Sequence, residues 1–160
     1  MKNPWEEIPL SDYENHMKLN SVMQLQAMNE MMKEQLDAYS ISSVAILGIA
    51  GGNGLEHIQK SKFKKVYGID VNADYLKEVV RRYPDLNGIL ECKCINLLDS
   101  AGKLPKADMV IANLLIAILD INASRKLLSR SIQSMFHVLS RSIQRRTGYQ
   151  THHIFMCLTV

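Results

Sequence analysis

An apolar run that breaks into a glycine-rich turn constrains this chain more than any other feature. Val44-Ala45-Ile46-Leu47 leads into Gly48-Ile49-Ala50-Gly51-Gly52-Asn53-Gly54, and a second apolar run, Val66–Ile69, ends in Asp70. Short apolar runs bounded by turn residues read as buried strands, and the turn is expected to open a helix over Leu55–Lys60. Strand, turn, helix and strand make the first β-α-β unit of a nucleotide-binding α/β domain. Small residues let the backbone approach a ligand closely, and a helix N-terminus adds unpaired N–H donors. An acid closing the second strand can accept hydrogen bonds from both hydroxyls of a ribose.

The flanking segments fit the same plan. Residues 11–39 read as helix, capped by Ser11 or Asp12, with Glu14 as the reciprocal partner of Ser11 and a break at Asn20-Ser21. Met17, Val22, Leu25, Met28, Met32, Leu36 and Tyr39 recur along it at helical spacing. A further helix starts near Ala73, turns Leu76, Val79 and Val80 inward and stops before Pro84. Ile89–Ile95 reads as a third strand, Asn96–Lys106 as a loop and Met109–Ala112 as a fourth strand. Strands alternating with helices through right-handed crossovers predict an α/β fold, a Rossmann-like, mostly parallel sheet with an N-terminal helical cap. The chain divides into a cap over residues 1–40, a core over 41–116 and an atypical tail over 117–160.

Composition narrows the classes. A chain of 160 residues suits one domain. It contains no apolar run of about 18 residues, so no membrane span is expected. Met1–Glu7 is polar and acidic, without the apolar stretch of a signal peptide, and a cytoplasmic location is expected. The three cysteines lack metal-ligand spacing; Cys92 and Cys94 read as reduced structural thiols on one face of a buried strand, with no metal. The net charge of +3 is unevenly spread. From Ala117 onward there are six bases against the single acid Asp120, which leaves thirteen bases and fifteen acids before it. The body is mildly acidic and gives no strong nucleic-acid signal.

The glycine spacing is open to two readings. Gly48-x-x-x-Gly52-x-Gly54 matches the turn of short-chain dehydrogenases, which bind a nicotinamide cofactor. Those enzymes use a Tyr-x-x-x-Lys pair, and none of the six tyrosines has lysine four residues on. The alternative accounts for more of the chain. Cys94-Ile95-Asn96-Leu97-Leu98-Asp99 follows the third strand, and Ala107-Asp108-Met109-Val110-Ile111-Ala112-Asn113-Leu114-Leu115 spans the fourth. With the cap, the glycine turn and Asp70, this order resembles the class I S-adenosylmethionine-dependent methyltransferases over residues 11–116. The family's three glycine positions fall on Ala50, Gly52 and Gly54. Its preceding acidic position, which helps to hold the cofactor's amino-acid moiety, falls on Gly48. The resemblance implies S-adenosylmethionine as cofactor, with Asp70 on the ribose hydroxyls and Val71 against adenine. It also implies Asn96 and Leu97 at the adenine edge, Asp99 as the alternative to Asn96, and Asn113 facing the sulfonium.

Methyl transfer from a sulfonium is an in-line displacement with a good leaving group, so the protein mainly supplies alignment and exclusion of water. No catalytic signature is required, and none names the acceptor. Asn113-Leu114-Leu115-Ile116 is not the Asn-Pro-Pro-Tyr type of motif used on amino groups of bases or glutamine. A small-molecule acceptor is expected, with Asp12, Tyr13 and His16 of the cap as candidate substrate or lid contacts. The competing class is a non-catalytic module that binds S-adenosylmethionine without a finished acceptor site.

Past Ile116 serine and arginine become dense, acids nearly vanish, and the family's later strands are missing. Ser129–Gln144 can be back-translated so that reading one nucleotide earlier gives a polar helix end, a proline turn and a strand. Residues from about Ala117 onward are therefore read as an out-of-frame product, which leaves the C-terminal strands incomplete and a sheet edge free for self-association. As a native tail, Leu128, Ile132, Met135, Phe136, Leu139 and Ile143 have helical spacing, and Ile154–Val160 could add a strand.

Overall fold

The computed structural model describes residues 4–97, 104–113, 137–139 and 157–159. Its centre is β1 (Ser43–Leu47), in which Val44, Ala45, Ile46 and Leu47 are all buried. Four successive apolar side chains suit a strand covered on both faces, as in a parallel sheet. β2 (Lys65–Asp70) runs parallel to it on one side, pairing Val44 with Val66 and Leu47 with Ile69. On the other side, β4 (Met109–Ile111) is parallel too, pairing Val44 with Met109 and Ile46 with Ile111. β3 (Leu90–Cys94) adds parallel to β2. The tail contributes β5 (His137–Leu139) and β6 (Cys157–Thr159), both antiparallel to their neighbours, and the order is β3-β2-β1-β4-β6-β5. The expected parallel α/β sheet is present.

Alternation along the strands sorts the core into two layers. Val44, Ile46, Val66, Met109 and Ile111 form one layer with Met32 and Leu36 of α2 (Gln24–Asp37) and Leu76 and Val79 of α3 (Ala73–Arg82). Leu36 is 1% exposed, and burying a side chain of this size contributes about 2 kcal/mol. The second layer contains Ala45, Leu47, Ile69, Val110 and Ala112, with Ile95, Leu97, Leu104 and Ala107 packed against it. No helix among the described residues is long and apolar enough to cross a membrane.

The expected break at Asn20-Ser21 does divide the N-terminal helix into α1 (Leu10–Met17) and α2, with a turn between them that ends in the left-handed Met23. Several local expectations are corrected. Neither Ser11 nor Asp12 caps α1. Pro9 holds the N-cap position, and its carbonyl accepts from the N–H groups of Asp12 and Tyr13. Glu14 is consequently free of any capping role and points elsewhere. The helix expected at Leu55–Lys60 is a single 3-10 turn, Leu55–His57, because Ile58 returns to extended backbone. α3 starts and stops as expected, capped by Asn72, whose side chain accepts from Asp74 N–H at 3.0 Å and Tyr75 N–H at 3.2 Å. Val80 does not face inward but is exposed; Tyr75 joins Leu76 and Val79 and centres the buried stripe away from it. β3 is a half-buried edge strand rather than a buried one, so Cys92 is partly covered and Cys94 is exposed. Leu139, given helical spacing in the sequence, lies in β5, whereas Cys157–Thr159 falls within the strand expected at the terminus.

The lower ends of β1 and β4 are joined through one carboxylate. Asp108 accepts from Ser42 N–H at 2.9 Å, Ser42 Oγ at 3.0 Å and Ser43 N–H at 2.8 Å, while its own N–H donates to Ser43 Oγ at 2.9 Å. These donors, led by the Ser42 N–H, hold the Asp108 carboxyl below its ordinary range. A depressed carboxyl pKa adds stability above the unfolded-state value and loses it as pH falls through the folded-state value. Asp108→Ala is expected to lower unfolding free energy by about 1–2 kcal/mol at neutral pH. Urea titrations should show that difference shrinking below about pH 4, where the native carboxyl also protonates.

Candidate functional site

The carboxyl ends of the four parallel strands converge where the chain leaves β1 for β2 on one side and β4 lies on the other. Such a reversal of strand order opens a crevice above the sheet. Here the crevice is roofed by α1 and α2 and floored by the glycine turn.

The turn is built from left-handed backbone. Gly48, Ala50, Gly52 and Gly54 all have positive φ, and at Ala50 a residue with a Cβ adopts it, at φ 46°. Two of these positions also have close neighbours. A Cβ on Gly52 would lie 2.7 Å from the Tyr83 ring, and one on Gly54 would lie 2.5 Å from Met32 Cγ. The N–H groups of the turn are largely consumed inside the fold. Those of Gly48 and Ile49 donate to the Ile69 carbonyl, Gly52 to Ile49 and Leu55 to Gly52. Gly54 N–H donates to Glu56 Oε2 at 3.0 Å. The expected row of unpaired donors at a helix N-terminus is absent from Leu55–His57, a 3-10 turn of three residues.

Asp70 ties the turn to β2. Its Oδ2 accepts from Ala50 N–H at 2.9 Å and its Oδ1 from Asn72 N–H at 3.0 Å. The residue is 9% exposed. Burial pushes the Asp70 carboxyl above its ordinary value, opposed by the N–H groups of Asn72, Ala50 and Val71. Three backbone N–H groups on a carboxylate with about four acceptor positions leave room for one further donor.

The cap is fastened to the turn by polar contacts rather than by packing alone. Asn29 of α2 donates to Asn53 Oδ1 at 3.0 Å, and Asn53 donates in turn to the Leu25 carbonyl at 2.8 Å. Gln35 and the buried Asn113 exchange both amide bonds, at 3.1 and 3.0 Å, joining α2 to the end of β4. From α1, Glu14 receives two bonds from Arg82 of α3, Nη1 to Oε1 at 2.5 Å and Nη2 to Oε2 at 3.0 Å. Tyr13 stands beside it, its phenol pushed up to about 12 by burial, then by Tyr75 and the carboxylates of Asp70 and Glu14. The segment before α1 lies along the start of α3, where Asn72 donates to the Trp5 carbonyl and Tyr75 to that of Ile8.

The crevice brings together Tyr13, Glu14, Gly48, Ala50, Asn53 and Asn113, with Leu25, Met28 and Met32 as its apolar wall. Asp70 reaches it through Ala50. Gly52 and Gly54 shape the turn behind it. Val71 is half-buried after β2, with its carbonyl accepting from Cys94 Sγ at 3.3 Å. Asn96 and Leu97 are half-buried after β3, and Leu97 packs into the second core layer. Asp12 and His16 are exposed on α1 and do not line the crevice. Asp99 and the tail between Leu114 and Phe136 fall outside the described residues. Among the described residues no cluster of His, Cys, Asp or Glu could hold a metal ion.

Gln35 and Asn53 were not singled out in the sequence, and Glu14 was read only as a capping partner of Ser11. Glu14 and Arg82 are 68 residues apart, and Gln35 and Asn113 are 78 apart. No local pattern links such pairs.

No family model and no curated protein matches the chain by sequence. Solved structures do match its fold. The N-methyltransferase NodS from Bradyrhizobium japonicum superposes with a TM-score of 0.59 at 11% identity, over 83% of this chain and 93% of that one. M. capricolum TrmK, solved with S-adenosylhomocysteine, gives 0.57 at 12% identity, over 82% of this chain and 67% of that one. Haemonchus contortus phosphoethanolamine N-methyltransferase 1 gives 0.56 at 13% identity, over 85% of this chain and 32% of that one. The fold is that of the class I S-adenosylmethionine-dependent methyltransferases.

The turn supplies a direct test of the packing. Gly54→Ala forces a Cβ onto Met32 and onto a left-handed backbone at φ 93°. A loss of about 2–4 kcal/mol is expected, read as a lowered thermal midpoint. Gly88→Ala, with φ 91° and open space around the new Cβ, carries only the backbone strain and should lose less.

Proposed function

We propose that this chain binds S-adenosylmethionine in the crevice and belongs to an enzyme that transfers its methyl group to a small-molecule acceptor. The observation that carries the reading is the state of the glycine turn. A dinucleotide needs a row of free N–H groups at a helix N-terminus for its pyrophosphate. Here Gly48, Ile49, Ala50, Gly52 and Gly54 of the turn spend their N–H groups on Ile69, Asp70, Ile49 and Glu56, and a single 3-10 turn follows in place of a helix N-terminus. That favours a nucleoside ligand without phosphates over a nicotinamide dinucleotide. Among the described residues that line the crevice, the one charged side chain is the carboxylate of Glu14, which suits a cationic ligand.

In this assignment Asp70 holds the ribose through the acceptor capacity left beyond its backbone bonds. The glycine turn lies along the nucleoside, and Tyr13 with the α2 wall excludes water. When bound, the cofactor supplies an electrophilic methyl carbon on a sulfonium. Transfer of that carbon to an acceptor's lone pair would leave a neutral thioether as the leaving group. What the protein contributes is alignment of the two centres and a dry site. Asn113, already held on both amide atoms by Gln35, is the polar group at the β4 end of the crevice and orients the reacting pair.

Calorimetry with S-adenosylmethionine, S-adenosylhomocysteine and NAD(H) tests the cofactor. Binding of both sulfur ligands is expected, and binding of NAD(H) alone would overturn it. Asp70→Ala should weaken S-adenosylhomocysteine about tenfold to a hundredfold, with unchanged affinity removing Asp70 from the site. Turnover on a metabolite panel then separates an enzyme from a module that binds without transferring.

A further inference from the structure

We infer that Glu14 binds the α-ammonium group of the cofactor's amino-acid arm, an assignment that rests on the S-adenosylmethionine reading above. Residues 44–54 contain no acid, so neither β1 nor the glycine turn has a counter-charge of its own. Among the described residues lining the crevice, Glu14 is the one charged side chain. An amino-acid arm carries a full positive charge on nitrogen, and a desolvated ammonium requires an acceptor with charge.

The placement is close. A Cβ built on Gly51 would lie 2.2 Å from Glu14 Oε1 and 2.8 Å from Arg82 Nη1, so the carboxylate rests on the turn where only a hydrogen leaves room. It is also held. Arg82 donates to both Glu14 oxygens, is itself braced by Glu78 at 2.8 Å, and reaches the Gly51 carbonyl at 3.4 Å. The Glu14 side chain is 21% exposed, and the Arg82 side chain 33%. Arg82 occupies one acceptor position on each oxygen, which leaves the others for donors arriving from the crevice. The ion pair therefore presents a fixed anion to the ligand's ammonium, with a cation beside it for the adjoining α-carboxylate. Arg82 is the positioning residue in this arrangement.

The test compares S-adenosylhomocysteine with 5′-methylthioadenosine, which shares the nucleoside and thioether but lacks the amino-acid arm. In calorimetry the unaltered protein should bind S-adenosylhomocysteine more tightly. Glu14→Gln should weaken S-adenosylhomocysteine about tenfold to a hundredfold and 5′-methylthioadenosine less than about twofold. Equal losses for both ligands, or no loss for either, would overturn the assignment. A deaminated S-adenosylhomocysteine, offered to the unaltered protein, checks the same contact without a substitution. It should bind about tenfold to a hundredfold more weakly than S-adenosylhomocysteine, and affinity equal to the parent ligand would refute the role. If both ligands bind the unaltered protein equally, Glu14 loses its role while the cofactor reading stands. If neither binds, the cofactor reading itself falls.

Discussion

The hydrogen bond from Ala50 N–H to Asp70 is the contact on which the site depends. It joins a turn of left-handed residues to the end of a neighbouring strand, so the shape of the turn and the position of the acid are set together. The turn could not hold that shape on its own. Four positive-φ residues in seven positions cost backbone freedom, and the cost is offset only because carbonyls and a carboxylate on β2 collect the N–H groups that result. Burial of the Asp70 carboxylate is unfavourable, and the N–H groups of Ala50, Val71 and Asn72 offset part of that cost. Turn and acid stabilise each other.

Around that contact the cap is attached with polar groups. A roof fastened by hydrophobic packing alone would slide or collapse into the crevice below it. The Asn29–Asn53 and Gln35–Asn113 bonds and the Glu14–Arg82 ion pair are directional, and they keep α1 and α2 at a fixed height above the turn. Methionines 28 and 32 then face the crevice as an adaptable apolar wall. Individual exposed ion pairs contribute little to stability, so the value of Glu14–Arg82 lies in geometry more than in energy.

The strands, α3 and their order were legible because periodicity and punctuation agreed at each: apolar runs ended by Gly48 and Asp70, Asn72 before a helix, Pro84 after it. The misreadings have physical causes. Glycine-rich turns usually lead into helices, but here the chain uses its residues 55–57 to pack Leu55 and then extends, so the helix never propagates. Val80 lies on the margin of the α3 stripe, where one additional buried ring at Tyr75 decides its fate. Glu14 had the spacing of a capping partner, yet a proline ahead of α1 took the cap and released it. Cys92 and Cys94 looked buried because the run around them is apolar enough, but the strand is at the edge of the sheet.

By itself, the sequence determined the four strands of the core over residues 41–116, that they would be mostly parallel, and that a glycine turn and an acid would end the first two. Those features are local or separated by one crossover, and hydrophobic alternation and turn chemistry suffice to specify them. Only the tertiary structure decided which N–H groups of the turn were already used and which side chains of the cap face the crevice. It alone decided that Glu14 would meet Arg82. Such facts depend on how distant elements are oriented against one another, and no spacing along a chain records an angle between two helices.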